Sequence, residues 1–234
     1  PRRTRLTLLG RGATGTGGRV AQHPPWTLCA LARDDQYAVA RLCLPGLLTG
    51  FPLRPKKTTL GNLEPANHAD LAALFVDHLE AVGKHIRQGD TNTYRRFWNG
   101  DQPALENDCR DALLDLLRLR LAGLSIELQK EGYFNEDKRA DIRISINAGQ
   151  MIVPVEIKKD GHENLWFAQY QQLGRYAADP AADGYGIYLI LWFGGKSMRK
   201  PPSGPSPINA VDLQTALVGT LAWLLDRFKV VRTG

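Results

Sequence analysis

The stretch that most restricts this chain is Asp141-Ile-Arg-Ile-Ser-Ile146, followed by Asn147-Ala-Gly-Gln150 and then Met151-Ile-Val-Pro-Val-Glu-Ile-Lys158. Alternation over 141–146 puts the isoleucines on one face and Asp141, Arg143 and Ser145 on the other, the period of a half-buried strand. Asn-Ala-Gly-Gln reads as a hairpin-like connection, so 151–158 returns as an antiparallel neighbour. Such a hairpin commits the chain to a sheet, and its flanks decide which kind. Upstream, 104–121 carries Leu105, Cys109, Leu113, Leu116, Leu117 and Leu121 on or near one helical stripe, and 125–134 alternates as a strand. Downstream, a helix over 164–178 stops before Pro180, and 185–193 is a near-continuous apolar strand expected to be buried on both faces. A Pro/Gly/Ser loop over 200–207 leads to a last helix over 210–228. The order helix, three strands, helix, strand, helix implies an α/β layer arrangement with a mixed sheet flanked by helices.

The first hundred residues are less legible. Residues 1–25 read as loop or linker ending at Pro24-Pro25, and their glycines form no phosphate loop, since no Gly-Lys-Ser/Thr follows. The apolar runs 26–33 and 37–49 are ambiguous in type, and the prolines of 50–67 break regular structure. A helix is expected over 68–88, where Leu71, Leu74, Phe75, His78, Leu79 and Val82 recur at helical spacing. Gly100-Asp101-Gln102-Pro103 punctuates the chain again. We therefore expect a basic N-terminal segment over 1–100 and a domain over 101–234. Residues 1–70 hold 10 Lys and Arg against 4 Asp and Glu, which is the whole +6 excess of the chain. Such a segment suits a phosphate backbone, or equally a solvated face. No apolar run is long enough for a membrane span or a signal peptide. Three cysteines without Cys-x-x-Cys spacing argue against a disulfide framework and a zinc site, and fit a reducing cytoplasm.

Chemistry concentrates in the hairpin. Glu156 and Lys158 are two apart on one strand and project to the same face, while Val155 and Ile157 point to the other. Asp141 opens the neighbouring strand and can converge on them. An isolated Glu-x-Lys is commonly an exposed cross-strand ion pair. Here Gln172 and Tyr176 share one face of the following helix at i and i+4, Gln169 lies on that side, and Glu106 offers a third carboxylate from the preceding helix. Two carboxylates with a strand carbonyl form a hard-oxygen set that suits Mg²⁺ and not Zn²⁺.

Asp141, then Glu156-Ile-Lys158 across a hairpin, then a helix bearing Gln172-Leu-Gly-Arg-Tyr176, resembles the PD-(D/E)xK nuclease superfamily, and within it the RecB-like branch marked by a Gln-xxx-Tyr helix. The likeness covers about residues 103–230. It implies a restriction-endonuclease-like core and metal-dependent hydrolysis of DNA phosphodiester bonds. In that reading Asp141, Glu156 and the Ile157 carbonyl hold Mg²⁺, with Mn²⁺ able to substitute, and Glu106 is the helix-borne acid that some members add. Lys158 positions or activates the attacking water, and Gln172 and Tyr176 line the site. Ala140 stands where the nominal motif has proline. Because the proposed residues all address phosphate, RNA is as chemically open a substrate as DNA. A nuclease-fold module that binds or assembles without cleaving is the further alternative.

Around this site Lys159, His162, Lys196 and Arg199, with Lys200 nearby, are expected as nucleic-acid contacts, or as a solvated loop and turn. Trp166, Phe167, Tyr170 and Trp192 are expected in the core. Arg95-Arg96-Phe97-Trp98 either braces nucleic acid or packs the N-terminal segment. The chain begins at Pro1, and we expect an effector module of a larger bacterial anti-phage defence protein, preceded by a sensing or targeting region, cytoplasmic, and open to homo-oligomerisation.

Overall fold

The computed structural model describes residues 26–32, 40–43, 64–89, 91–134, 138–194 and 197–231. Residues 26–32, 40–43, 138 and 221–231 are described by backbone course alone. Strands β1 (Trp26–Ala32) and β2 (Ala40–Cys43) precede helix α1 (His68–Gln88). A 3₁₀ turn, Thr93–Phe97, leads into a two-residue hairpin, β3 (Trp98–Asn99) and β4 (Gln102–Pro103). Then come α2 (Glu106–Leu121), β5 (Glu127–Phe134), β6 (Lys138–Ile146) and β7 (Met151–Lys159). A π-helical turn, Gln169–Leu173, runs into the short α3 (Gly174–Ala177), followed by β8 (Gly186–Trp192) and α4 (Ala210–Val231). The expected helix over 68–88 is present with those bounds, and Asn67 caps it by accepting the Asp70 N–H.

The main sheet has the order β2-β1-β8-β7-β6-β5. β1, β8 and β7 run parallel, and β2, β6 and β5 are antiparallel to their neighbours, so the sheet is mixed. The two faces carry separate cores. Val153, Val155 and Ile157 of β7 pack with Ile142, Ile144 and Ile146 of β6 against α1 and α2. On the other side Ile152, Tyr188, Ile190 and Trp192 pack with Leu165, Trp166, Leu173, Tyr176, Leu213 and Leu217. All seven residues of β8 are buried, as its uninterrupted apolar run requires. The arrangement is the mixed α/β sheet flanked by helices expected from the element order.

Two expectations change. The boundary near residue 100 is crossed by the core, because Leu71, Phe75, Val76 and Leu79 of α1 lie in the same cluster as Leu113, Leu117, Ile142 and Val155. Proline and glycine near a turn mark a break in regular structure, not the edge of a core. The continuous helix over 164–178 is interrupted instead. The Leu165 carbonyl accepts the Tyr188 hydroxyl at 2.8 Å, so its acceptor is engaged across the layer. Turns fill 163–167, and the π turn follows. The linker over 1–25 and the break over 50–63 lie outside the described residues.

The hairpin turn also differs in kind. Asn147, Ala148 and Gly149 form a 3₁₀ turn in which all three have positive φ (52°, 53° and 83°). Asparagine and glycine accept that region readily, while Ala148 carries backbone strain of about 1 kcal/mol. The neighbouring edge strand places Gly132 where a Cβ would lie 2.2 Å from the Cβ of Arg143, and only glycine lets that arginine cross the strand. No helix among the described residues is long and apolar enough to cross a membrane.

Candidate functional site

Pairing of β6 with β7 runs from Ile146–Met151 to Ile142–Val155, whereas β7 continues beside β8 to Lys159. Beyond that last pair the two strands part. The register brings Asp141 to the level of Glu156, and the cross-strand neighbour of Glu156 on β8 is Tyr188. Asp141 Oδ2 accepts the Ile157 N–H at 2.7 Å, so a carboxylate meets a β7 donor that the ladder no longer satisfies. α2 begins at this opening. Glu106, in its first turn, where the helix dipole favours negative charge, accepts the Lys159 N–H at 3.1 Å.

Lys158 lies at the centre. Its ammonium donates to Glu156 Oε1 at 2.6 Å and to the Ile157 carbonyl at 2.9 Å, with Glu106 Oε1 at 3.6 Å. Glu156 is 3% exposed and Lys158 5%. An exposed cross-strand ion pair is therefore excluded, because both partners are buried. Burial works against the lysine's charge, but the carboxylates of Glu156, Asp141 and Glu106 outweigh it and hold the ammonium above the usual lysine value. Burial and then the Asp141 charge push the Glu156 carboxyl up to about 7. Asp141 is raised too, chiefly by burial. Burial and the crowding of several carboxyls make full ionisation of the cluster costly, which is why both acids are raised.

Asp141 has a second cationic neighbour that sequence reasoning missed. Arg110 is 3% exposed on α2. Its Nη1 lies 3.8 Å from Asp141 Oδ1 and 3.2 Å from Glu131 Oε1, and its Nε is 3.2 Å from Asp111 Oδ1. Glu131 adopts φ +50° on β5, a left-handed conformation unusual for glutamate in a strand. The signal was present: Arg110 sits with Leu114, Leu117 and Leu121 at i, i+4, i+7 and i+11, a charged residue at apolar-periodic positions. Replacing Arg110 by Met is expected to destabilise the protein by roughly 1–3 kcal/mol, because the partly buried Asp141 loses a counter-ion while Asp111 and Glu131 stay open to water. Urea unfolding of this variant measures it, and a loss below 1 kcal/mol would remove Arg110 from the cluster.

The other expected residues divide. Tyr176 is buried, its ring lies tilted at 5.5 Å from the Phe134 ring, and its hydroxyl is pushed up to about 12 by burial and by the Glu156 and Asp141 charges. Gln172 has a buried Oε1 with no hydrogen-bond partner among the described residues. Gln169 does not face the site as expected: the π turn directs it to α4, where its Nε2 donates to the Leu217 carbonyl at 3.2 Å. Lys159 is not free for phosphate either, since its ammonium donates to the Ala104 carbonyl at 2.9 Å. His162 accepts the Asn164 N–H at 3.0 Å within the turn after β7. Arg199 is 66% exposed beside Glu163, and its carbonyl accepts the Trp166 indole N–H. Lys196 lies outside the described residues. Of the aromatics, Trp166 and Trp192 are core, and Phe167 and Tyr170 pack against it. Phe97 is buried and Trp98 meets Phe193 edge-on, so the aromatic half of Arg-Arg-Phe-Trp packs inward, while Arg96 pairs with Asp115.

Among the described residues no three His, Cys, Asp or Glu side chains gather as a metal cluster. What gathers instead is a mixed oxygen set around a cation: two carboxylates and a backbone carbonyl on the Lys158 ammonium, with Asp141 adjacent. That donor chemistry fits a hard divalent ion such as Mg²⁺, which takes oxygen ligands. A family model described as "Domain of unknown function (DUF8371)" matches residues 71–195, more than half of the chain. The match begins within α1 and takes in the whole cluster. Neither a curated protein nor a solved structure matches the chain.

Proposed function

We propose that this chain, which belongs to the DUF8371 family, is a metal-dependent endonuclease that hydrolyses DNA phosphodiester bonds. The observation that carries this reading is the buried Lys158 ammonium held by Glu156, the Ile157 carbonyl and Glu106 beside Asp141, at the point where β6 and β7 part. Charged groups are costly to bury, and a fold retains such a cluster more readily where it serves chemistry than where it serves packing. Asp141, Glu156, the Ile157 carbonyl and Glu106 are the residues that would hold Mg²⁺ or Mn²⁺. When bound, the ion supplies positive charge for the scissile phosphate and acidifies water. Lys158 orients the attacking water through its ammonium donors. The Asp141–Ile157 hydrogen bond fixes one acid on the β7 backbone, and Arg110 balances its charge. Tyr176 keeps its proton at neutral pH and therefore serves as a donor, not a base. Gln172, four residues before Tyr176, carries a buried acceptor with no partner among the described residues.

On this reading the chain acts in the cytoplasm, as an effector in bacterial anti-phage defence. Incubation with supercoiled plasmid in Mg²⁺, beside EDTA and Lys158→Ala controls, tests the activity. The expected result is nicking or linearisation that needs both the ion and Lys158, with an RNA substrate run in parallel to settle the sugar. Plasmid bound but uncut under all conditions would replace the nuclease with a binding module.

A further inference from the structure

The Lys158 ammonium does not merely neighbour the oxygens assigned to a divalent ion. It occupies the place on which three of the four converge, while Asp141 Oδ2 takes the Ile157 N–H alongside. Two of its hydrogen bonds, to Glu156 Oε1 at 2.6 Å and to Ile157 O at 2.9 Å, use oxygens that a metal ion would need, and Glu106 Oε1 stands at 3.6 Å. The pair is buried, so bulk water is no ready substitute for either partner. A Mg²⁺ ion sits about 2.1 Å from its oxygens. An ammonium nitrogen already at hydrogen-bond distance from the same atoms fills that volume and repels a second cation.

Resting on the metal-dependent reading above, we propose that Lys158 is an intramolecular competitor for the divalent cation, closing the site until its ammonium leaves Glu156 and the Ile157 carbonyl. The lysine stem has four carbons and rotatable bonds, so the departure is a side-chain movement that leaves β7 in place. Two consequences follow. Cation affinity is lower than the oxygen set alone would give, because each binding event must break charge-assisted hydrogen bonds. The lysine is also released for work on water only when the cation is bound, so the site holds its own catalytic ammonium out of use while empty. This assigns Lys158 a sign opposite to that of a residue that helps to hold the ion.

Binding of Mn²⁺ to the whole chain, followed by isothermal titration calorimetry and by the rise in Tm on adding Mn²⁺, separates the possibilities. Lys158→Met and Lys158→Gln are expected to bind Mn²⁺ about tenfold or more tightly than the wild type, the scale of one charge-assisted hydrogen bond. They are also expected to show the larger Mn²⁺-induced Tm rise. Lys159→Gln removes a unit charge from the next residue without touching these oxygens, and is expected to tighten binding far less. Saturable wild-type binding with equal or weaker binding in both Lys158 variants would overturn the competition and leave the metal reading standing. Equal tightening in Lys159→Gln would also overturn it, in favour of a general charge effect. No saturable binding in any protein would overturn both readings. Should Lys158→Met fail to fold, Lys158→Gln carries the test, since its amide can still donate to Glu156.

Discussion

Glu156→Gln is expected to abolish Mg²⁺-dependent cleavage, a loss on the order of a thousandfold or more, while the protein stays folded. The substitution keeps the volume of a side chain that is 3% exposed and keeps an oxygen for the Lys158 ammonium, which now lies 2.6 Å from Glu156 Oε1. What it removes is the charge. Glu156→Ala is the poorer probe, because it strands a buried ammonium and is expected to cost roughly 3–5 kcal/mol of stability as well. Lys158→Ala is expected to lose cleavage to a similar degree and to destabilise by a similar amount, leaving Glu156 buried without its partner. The readout is initial-rate plasmid cleavage beside thermal melting of each variant. Near-wild-type cleavage by folded Glu156→Gln would sink the site assignment.

Phe75→Ala is expected to destabilise the protein by roughly 3–5 kcal/mol. The ring is wholly buried on α1, in one cluster with Leu113 and Leu117 of α2 and Ile142, Val155 and Ile157 of the site-bearing strands. The void would open beneath β6 and β7, and the loss follows from contacts that neighbouring side chains cannot remake. For the same reason a chain starting at residue 101 is expected not to fold, since it lacks the helix that covers one face of the sheet. Urea denaturation with a two-state fit measures the first expectation, and circular dichroism of the shortened chain measures the second. A loss below 1 kcal/mol for Phe75→Ala would place α1 outside the cooperative unit.

How much of this was legible depends on how local each cause is. Strand alternation in 141–146 and the Leu stripe of α2 are written in neighbouring residues, and they led to the right elements in the right order. Pleat parity and a hairpin bring Asp141, Glu156 and Lys158 to one side, whereas Glu106 belongs to the preceding helix and no strand pattern places it. Gln169 went astray because the chain turns over 163–167 and then enters a π turn, which breaks the helical phase that i and i+4 spacing assumes. Arg110 went unnoticed because a periodic position was scanned for apolar residues alone. Lys159 looked like a phosphate contact by charge, yet the Ala104 carbonyl takes its ammonium. Nor do turn residues near residue 100 encode that α1 shares a core cluster with α2 and β6, which tertiary packing decides.

The bond from the Ile157 amide to Asp141 Oδ2 gives the protein a built-in reporter. Within a β-ladder an amide proton is guarded by a neighbouring backbone and changes only when strands separate. This one is guarded by an ionisable side chain, so its environment tracks a carboxylate and not the integrity of the sheet. Protonation or rotation of Asp141 is expected to alter the chemical shift and exchange rate of this amide more than those of Val155 and Ile142, which pair in the ladder. A spectroscopist following one resonance could therefore read the state of Asp141 without a substrate or a catalytic turnover.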